Sequence, residues 1–271
     1  MIRLEPYGDV TRLRMSTWRS RSIDYEVSAY FTRRVLVDCG FPDAGGDLGR
    51  LLDQLQPVGA IITHAHEDHA GNAGLLARRG IPLDIGALSL SELRAARPIR
   101  AYRRYTWGRP RAFTETFAPF DPEPLQVLPA PGHSADHRIV WDAERETLFS
   151  ADLWLGVHVK VMHGHEEDPW QLVTDLRAAA ALNPQRMFDA HRGPVRHPAR
   201  ALAAKADWLE QTIGVIAQRV AQGWDDHTIM RTVLGREEMA GYVSRGEYAR
   251  VNLVRNVRAG LARRARIRIP S

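Results

Sequence analysis

Seven consecutive residues, Thr63-His64-Ala65-His66-Glu67-Asp68-His69, contain four side chains able to ligate a metal ion. Histidine offers a neutral nitrogen and aspartate a hard oxygen, a donor mix that suits zinc and its first-row neighbours. The alternative is a polar loop that carries histidines by chance, and this density of donors argues against it. The apolar run Val58-Gly59-Ala60-Ile61-Ile62 reads as a strand leading into the turn. The small-residue run Ala70-Gly71-Asn72-Ala73-Gly74-Leu75-Leu76 reads as the start of a helix leading out. The donors therefore sit at the end of a strand and the mouth of a helix, where α/β folds place sites.

Other positions in the chain join the question. His133 follows Pro131-Gly132, Asp152 follows the apolar run ending at Ser150-Ala151, and His191 follows Asp189-Ala190. Taken singly, each has a plain reading: His133 as a turn cap, Asp152 as a strand-end carboxylate, His191 as a loop histidine. Asp38, in Asp38-Cys39-Gly40, reads as a turn former closing a strand.

These residues resemble, in order, the motifs of the metallo-β-lactamase superfamily. His64-Ala65-His66-Glu67-Asp68-His69 is similar to its His-x-His-x-Asp-His signature. Pro131-Gly132-His133-Ser134, Ser150-Ala151-Asp152 and Asp189-Ala190-His191 follow as the later motifs. The likeness runs from about Val10 to Val195. It implies an α+β fold, a four-layer αββα sandwich of two similar βα halves. His64, His66 and His133 are then expected to hold one metal, and Asp68, His69 and His191 a second. Asp152 would be shared between them, and Asp38 would support the histidine turn from behind. Two divalent ions, zinc first with Mn, Fe, Co or Ni as alternatives, would activate a bridging hydroxide for hydrolysis. Asp68 and Asp152 are the expected catalytic carboxylates, and Glu67 is expected to be a spacer.

The same resemblance separates the family's chemistries. Histidine at position 66, where diiron relatives carry glutamate, disfavours oxygen reduction. A carboxylate at position 152 disfavours penicillin turnover. The closer likeness is to glyoxalase II, lactonases and related esterases, so a thioester, ester or lactone is the expected substrate. Runner-up readings are a ribonuclease or phosphodiesterase of the same fold and a mononuclear iron sulfur dioxygenase. His158 and Lys160 lie where relatives line the pocket and are candidate substrate contacts. Arg192, standing where the family usually has glycine, is a third. His137, His163, His165, His197 and His227 read as structural or surface residues.

Around these positions the chain reads as follows. Antiparallel strands are expected within the first forty residues, at Val10 to Trp18, Tyr25 to Phe31 and Arg34 to Asp38. A helix is expected over Gly49 to Gln56 and another over Gly71 to Arg79. A third is expected over Ser89 to Ala96, with Ser89 as N-cap. Pro98 to Pro124 reads as a long irregular insert, rich in arginine and aromatic residues, placed to wall or lid a site. Arg138 to Asp142 and Thr147 to Ser150 pair as a hairpin, and Trp170 to Ala181 is helical behind Asp168-Pro169. After Pro194 the texture changes to helical patterns without strands. Residues 1–195 are thus expected to form the core and 196–271 a helical C-terminal subdomain.

With 271 residues, 44% apolar and 25% charged, the chain has the composition of a globular protein with room for a sizeable core. The net charge is +5, and the arginines behind it cluster in Arg94 to Arg104 and Arg258 to Arg268. Such runs are most often solvated surface, so a small-molecule partner is expected ahead of nucleic acid. No membrane partner is expected, and an oligomer is compatible with the sequence. The absence of an apolar N-terminal segment and the single cysteine, Cys39, lead to the expectation of a cytoplasmic protein.

Overall fold

The structure, a computed structural model, describes residues 1–21, 25–95 and 98–267. Ala96, Arg97 and Arg268, part of the expected third helix and of the two arginine runs, lie outside them. Along the chain come β1 (Ile2–Tyr7), β2 (Val10–Met15), α1 (Trp18–Arg21), β3 (Val27–Thr32), β4 (Val35–Val37) and α2 (Gly45–Leu55). Next are β5 (Gly59–Ile62), α3 (Glu67–Ala70), α4 (Ala73–Arg78), β6 (Leu83–Ile85), α5 (Ala87–Ala95) and α6 (Ala101–Trp107). Then follow β7 (Leu125–Pro129), β8 (Arg138–Asp142), β9 (Thr147–Ala151), β10 (Met162–His163), α7 (Pro169–Ala181), β11 (Arg186–Asp189) and β12 (Gly193–Pro194). The chain ends in α8 (Pro198–Ala221), α9 (Asp226–Val233), α10 (Met239–Val243), β13 (Tyr248–Ala249) and α11 (Val251–Ile267).

Two compact units divide these elements. The first takes Met1–Pro129, Asp136–Asp152 and Pro184–Arg196, and the second takes Ala130–Ala135, Leu153–Asn183 and the described chain from His197 onward. Within the first unit, β1 to β6 form one sheet in sequence order. The order β12-β11-β9-β8-β7 makes a second. Pairing is antiparallel from β1 to β4 and parallel along β4-β5-β6. In the second sheet β9 and β11 run parallel. Strand β5 is buried along its whole length, as befits an apolar run in a parallel sheet covered on both faces.

The sheets pack through large side chains. Val10, Tyr30, Val35, Val37 and Ile61 of the first meet Leu125, Val140, Phe149 and Phe188 of the second. Phe149 stacks on Phe188 with ring centroids 5.7 Å apart. Tyr30 lies against both and donates its hydroxyl to the Asp189 carbonyl at 2.5 Å. On the other face of the first sheet, Leu13, Leu36, Ala60 and Ile62 pack with Leu48 and Leu52 of α2 and Leu76 of α4. Each of the leucines and isoleucines among them contributes roughly 1.5–3 kcal/mol by leaving water.

The second unit is helical apart from β10 and β13, which pair antiparallel. Asp168 caps α7, accepting from Trp170 N and Gln171 N, with Pro169 at the first helical position. Asp225 caps α9 in the same way. Leu209, Ile213 and Ile216 of α8 and Val254 and Val257 of α11 are buried. Among the described residues no helix is long and apolar enough to cross a membrane.

Three local expectations need correction. The insert 98–124 is not irregular throughout, because it contains α6, whose arginines and tyrosines tolerate a helix and which ends at Gly108 with φ +92°. Ser89 is not an N-cap: α5 begins two residues earlier, and Ser89 is buried with its hydroxyl donated to Asp136. A strand does follow Val195, the two-residue β13, too short to leave a pattern in sequence.

Replacing Phe149 by alanine removes the ring that joins both sheets. It should cost about 3–5 kcal/mol of unfolding free energy, measured by urea denaturation. A loss below ~1 kcal/mol would show that this contact is not core.

Candidate metal centre

The first unit builds its polar cluster at the carboxyl ends of parallel strands. Asp38 follows β4, the histidine turn follows β5, Asp152 follows β9, and His191 follows β11. Asp38 itself sits in the left-handed region, φ 62°, which turns its carboxylate across to the end of β5. There it accepts from Thr63 N at 2.8 Å and Thr63 Oγ1 at 2.9 Å. Gly40, at φ +68°, backs onto the Met15 side chain, and a Cβ there would collide with Sδ. The backbone can therefore pass close only as glycine.

His69 Nδ1 lies 2.8 Å from Asp38 Oδ2. A carboxylate only accepts, so the ring proton belongs on Nδ1 and the Nε2 lone pair faces inward. His191 repeats the arrangement: its Nδ1 lies 2.7 Å from the Glu26 carbonyl, which likewise only accepts. The two Nε2 atoms are buried and make no hydrogen bond among the described residues. They converge on Asp152 Oδ1, at 3.4 Å from His69 and 3.2 Å from His191. His191 Nε2 is also 3.8 Å from Asp68 Oδ2. One atom from each of Asp68, His69 and His191 fits within 4.8 Å of the others, and the same holds for His64, His66 and Asp152. His64 Nε2 lies 3.0 Å from His66 Nδ1.

The pKa directions show how strongly the buried carboxylates attract positive charge, a proton or a cation, onto this cluster. Burial penalises the charged His69 ring, but Asp152 and Asp38 outweigh it and raise its pKa well above the usual value. Burial penalises the Asp152 anion, yet His69 and His191 hold it well below the carboxylate range. His64 is pushed far down by burial and by the neighbouring rings of His69, His66 and His137, so it stays neutral, the form that ligates. Buried carboxylates facing the inward Nε2 atoms of His69 and His191 are part of the donor set a divalent cation requires. The residues present fit such a group.

Of the seven residues marked as ligands in the sequence, six come together in this first unit. His133 belongs to the second. Its turn is pinned there by Gly132, whose N donates to Asp175 Oδ2 at 2.6 Å and whose carbonyl accepts from Asp168 N at 2.9 Å. The His191 turn is built by Asp189, which accepts from His191 N and Arg192 N. Gly193 follows at φ +88°, where a Cβ would press on the Arg12 guanidinium. Arg192 is exposed. His158 and Lys160 are exposed in the second unit. There His158 packs on Trp208 and the Lys160 carbonyl accepts from Arg250.

Several supporting residues escaped the sequence. Glu67 is more than a spacer: it is buried and forms a two-pronged ion pair with Arg103 of α6, at 2.6 and 2.5 Å. Its position between His66 and Asp68 was the available signal. Asp136 accepts from Ala65 N at 2.7 Å and from Ser89 Oγ at 2.9 Å, holding the histidine turn. His137 accepts from Asp152 N through Nε2 at 3.1 Å. Tyr25 stacks on His191, centroids 4.8 Å apart, and leans on Trp107.

Comparisons with known proteins agree with this geometry. The model of the metallo-β-lactamase superfamily matches residues 27–191. The beta-lactamase-like protein 2 homolog of Caenorhabditis elegans is 28% identical over 173 residues, covering 60% of this chain and 53% of that protein. The chain thus spans about half the length of that curated relative. Among solved structures, a metallo-β-lactamase family protein from Thermus thermophilus superposes with a TM-score of 0.64 at 16% identity, over 92% of this chain and 91% of that one. The metallo-β-lactamase FIM-1 from Pseudomonas aeruginosa, in a mono-zinc form, gives 0.57 at 16% identity, over 78% and 95%. The chain belongs to the metallo-β-lactamase superfamily, with that family's α+β fold and a helical C-terminal appendage. Its site is a buried cluster of histidines and aspartates able to bind metal.

Replacing Asp38 by asparagine would place an NH2 group against His69 Nδ1 and favour the wrong tautomer. Zinc affinity should fall about 10- to 100-fold, read by competition with a chromophoric chelator. Native affinity in a folded D38N protein would remove Asp38 from this role.

Proposed function

We propose that the protein is a binuclear metal-dependent hydrolase that opens a thioester, ester or lactone. The observation that carries this reading is the convergence of six donors, with His69 and His191 turned inward by acceptors behind them. In this reading His64, His66 and His133 hold one divalent cation and Asp68, His69 and His191 the other, with Asp152 serving both. Zinc is the first candidate, with Mn, Fe, Co and Ni compatible with the same donors. Bound cations would acidify a water toward a nucleophile near neutral pH and draw charge from the bond being broken. Asp68 and Asp152 are the carboxylates placed to steer that water's protons. Asp38, Asp136 and the Glu67–Arg103 pair keep the donors oriented, so little reorganisation is needed when substrate arrives. Arg192 at the β11–β12 turn, with His158 and Lys160, would contact the substrate. The helical residues from 196 onward form an appendage to the hydrolytic core.

A single-iron reading uses one group of donors and leaves the other without a task, so it ranks below the binuclear one. The test is elemental analysis joined to a panel of acyl thioesters, esters and lactones, with and without chelator. Two metals per chain and a hydrolysis that chelation abolishes and metal restores are expected. Replacing Asp68 and His69 together by alanine should lower the rate by several orders of magnitude. One iron per chain, inactivity of metal-replete protein across the panel, or undiminished hydrolysis in the double variant would each overturn the assignment.

A further inference from the structure

Beside the cluster the first unit carries an exposed aromatic ledge that its packing does not explain. Trp18 of α1 is 67% exposed and Tyr105 of α6 is 57% exposed. Their rings meet edge to face, centroids 6.4 Å apart. The Arg19 guanidinium lies over both rings, at 5.7 and 5.1 Å from their centroids. Arg19 also donates to the Tyr105 carbonyl and to Asp43, which fixes α1 against α6. Two large rings are thus held rigidly toward solvent, although burying them would be favourable.

The ledge is tied to the candidate metal centre at two points. Arg103 of α6 is locked to Glu67 in the histidine turn. Trp107, at the end of the same helix, packs on Tyr25, which stacks on His191 and is itself 41% exposed. Helix α6 therefore carries both Trp107, in ring contact with Tyr25 and through it His191, and Tyr105 of the outer ledge. Its surroundings are basic, with Arg21, Arg104 and Arg109 exposed on α1, α6 and the turn after α6.

We propose that this ledge seats the nucleotide end of the substrate, making the scissile compound an acyl thioester of the coenzyme A class. The inference deepens the hydrolase reading and rests on it for the thioester. Exposed rings stack a purine, and arginines beside them pair its phosphates. The size favours one nucleotide over a nucleic-acid strand. Helix α6 has seven residues, about 10 Å of length, which is enough to seat one base and too short to track a chain of them.

The test measures binding, so it does not depend on turnover. Metal-loaded protein is titrated calorimetrically with desulfo-coenzyme A, which lacks the thiol that would itself ligate zinc. Adenosine 3′,5′-bisphosphate, pantetheine and an RNA octamer are titrated alongside. Desulfo-coenzyme A and the bisphosphate should bind, pantetheine should bind at least tenfold more weakly, and added salt should weaken the first two. Trp18→Ala and Tyr105→Ala, both on the surface, should each lose about tenfold in affinity while metal content and far-UV dichroism stay native. No binding at millimolar concentration, or binding that both variants leave unchanged, overturns the ledge assignment. An octamer bound tenfold more tightly than desulfo-coenzyme A, with the same variant sensitivity, overturns it in favour of nucleic acid. Nucleotide binding without cleavage of any thioester, ester or lactone by the native protein would instead refute the hydrolase reading and leave the ledge standing.

Discussion

One carboxylate holds the site together. Asp38 is buried between the ends of two parallel strands, where an unpaired anion would cost several kcal/mol. It is tolerated because Thr63 N, Thr63 Oγ1 and His69 Nδ1 all face it. Those same contacts fix the first residue and the last histidine of the turn, so the residues between them have few conformations left. The requirement to satisfy Asp38 and the placement of the metal donors are the same constraint. Removing the strand geometry that brings β4 beside β5 would remove both.

The second sheet solves the matching problem with different parts. Strands β9 and β11 run parallel, so Asp152 and His191 emerge at the same end. His191 is oriented by a main-chain carbonyl rather than by a carboxylate. Asp189 supports it by accepting two main-chain N–H groups, and burial raises the pKa of that carboxyl. The inter-sheet core, from Val10 to Phe188, sets the spacing across which the two halves meet. Packing at Phe149 and Phe188 therefore helps set the distance at which His69 and His191 face one oxygen of Asp152.

Much of this was legible in the sequence because the donors are local or follow recognisable strand ends. The histidine turn is seven residues long, and Asp38, Asp152 and His191 each close an apolar run. The hairpin of Arg138–Asp142 and Thr147–Ser150 was equally plain as two strand-like runs around the polar turn Ala143–Glu146. What stayed hidden depends on partners far apart in the chain. Glu67 finds Arg103 thirty-six residues away, and Asp136 reaches back seventy-one to Ala65. Neither residue type announces such a role, since both are ordinary surface residues until the fold buries them. Helix α6 was missed because arginine and aromatic residues there carry no clean 3.6-residue apolar stripe, its burial coming from Arg103, Thr106 and Trp107.

That division explains why a family can be read from this chain more readily than a substrate. The donors are supplied by strand ends and short turns, whose geometry is fixed by the sheets. The residues that could recognise a substrate sit on α1 and α6, which lie outside the sheets. Among the described residues their links to the centre include the Glu67–Arg103 pair and the Tyr25–Trp107 contact. A buried, two-pronged ion pair is costly to desolvate and gains little net stability, but breaking it on one side costs about 3–5 kcal/mol. It therefore does for the insert what Asp38 does for the turn: it permits one arrangement and penalises the rest. Specificity can then drift by changing the exposed side of α6 while Arg103, on the buried side, continues to hold that helix against the histidine turn.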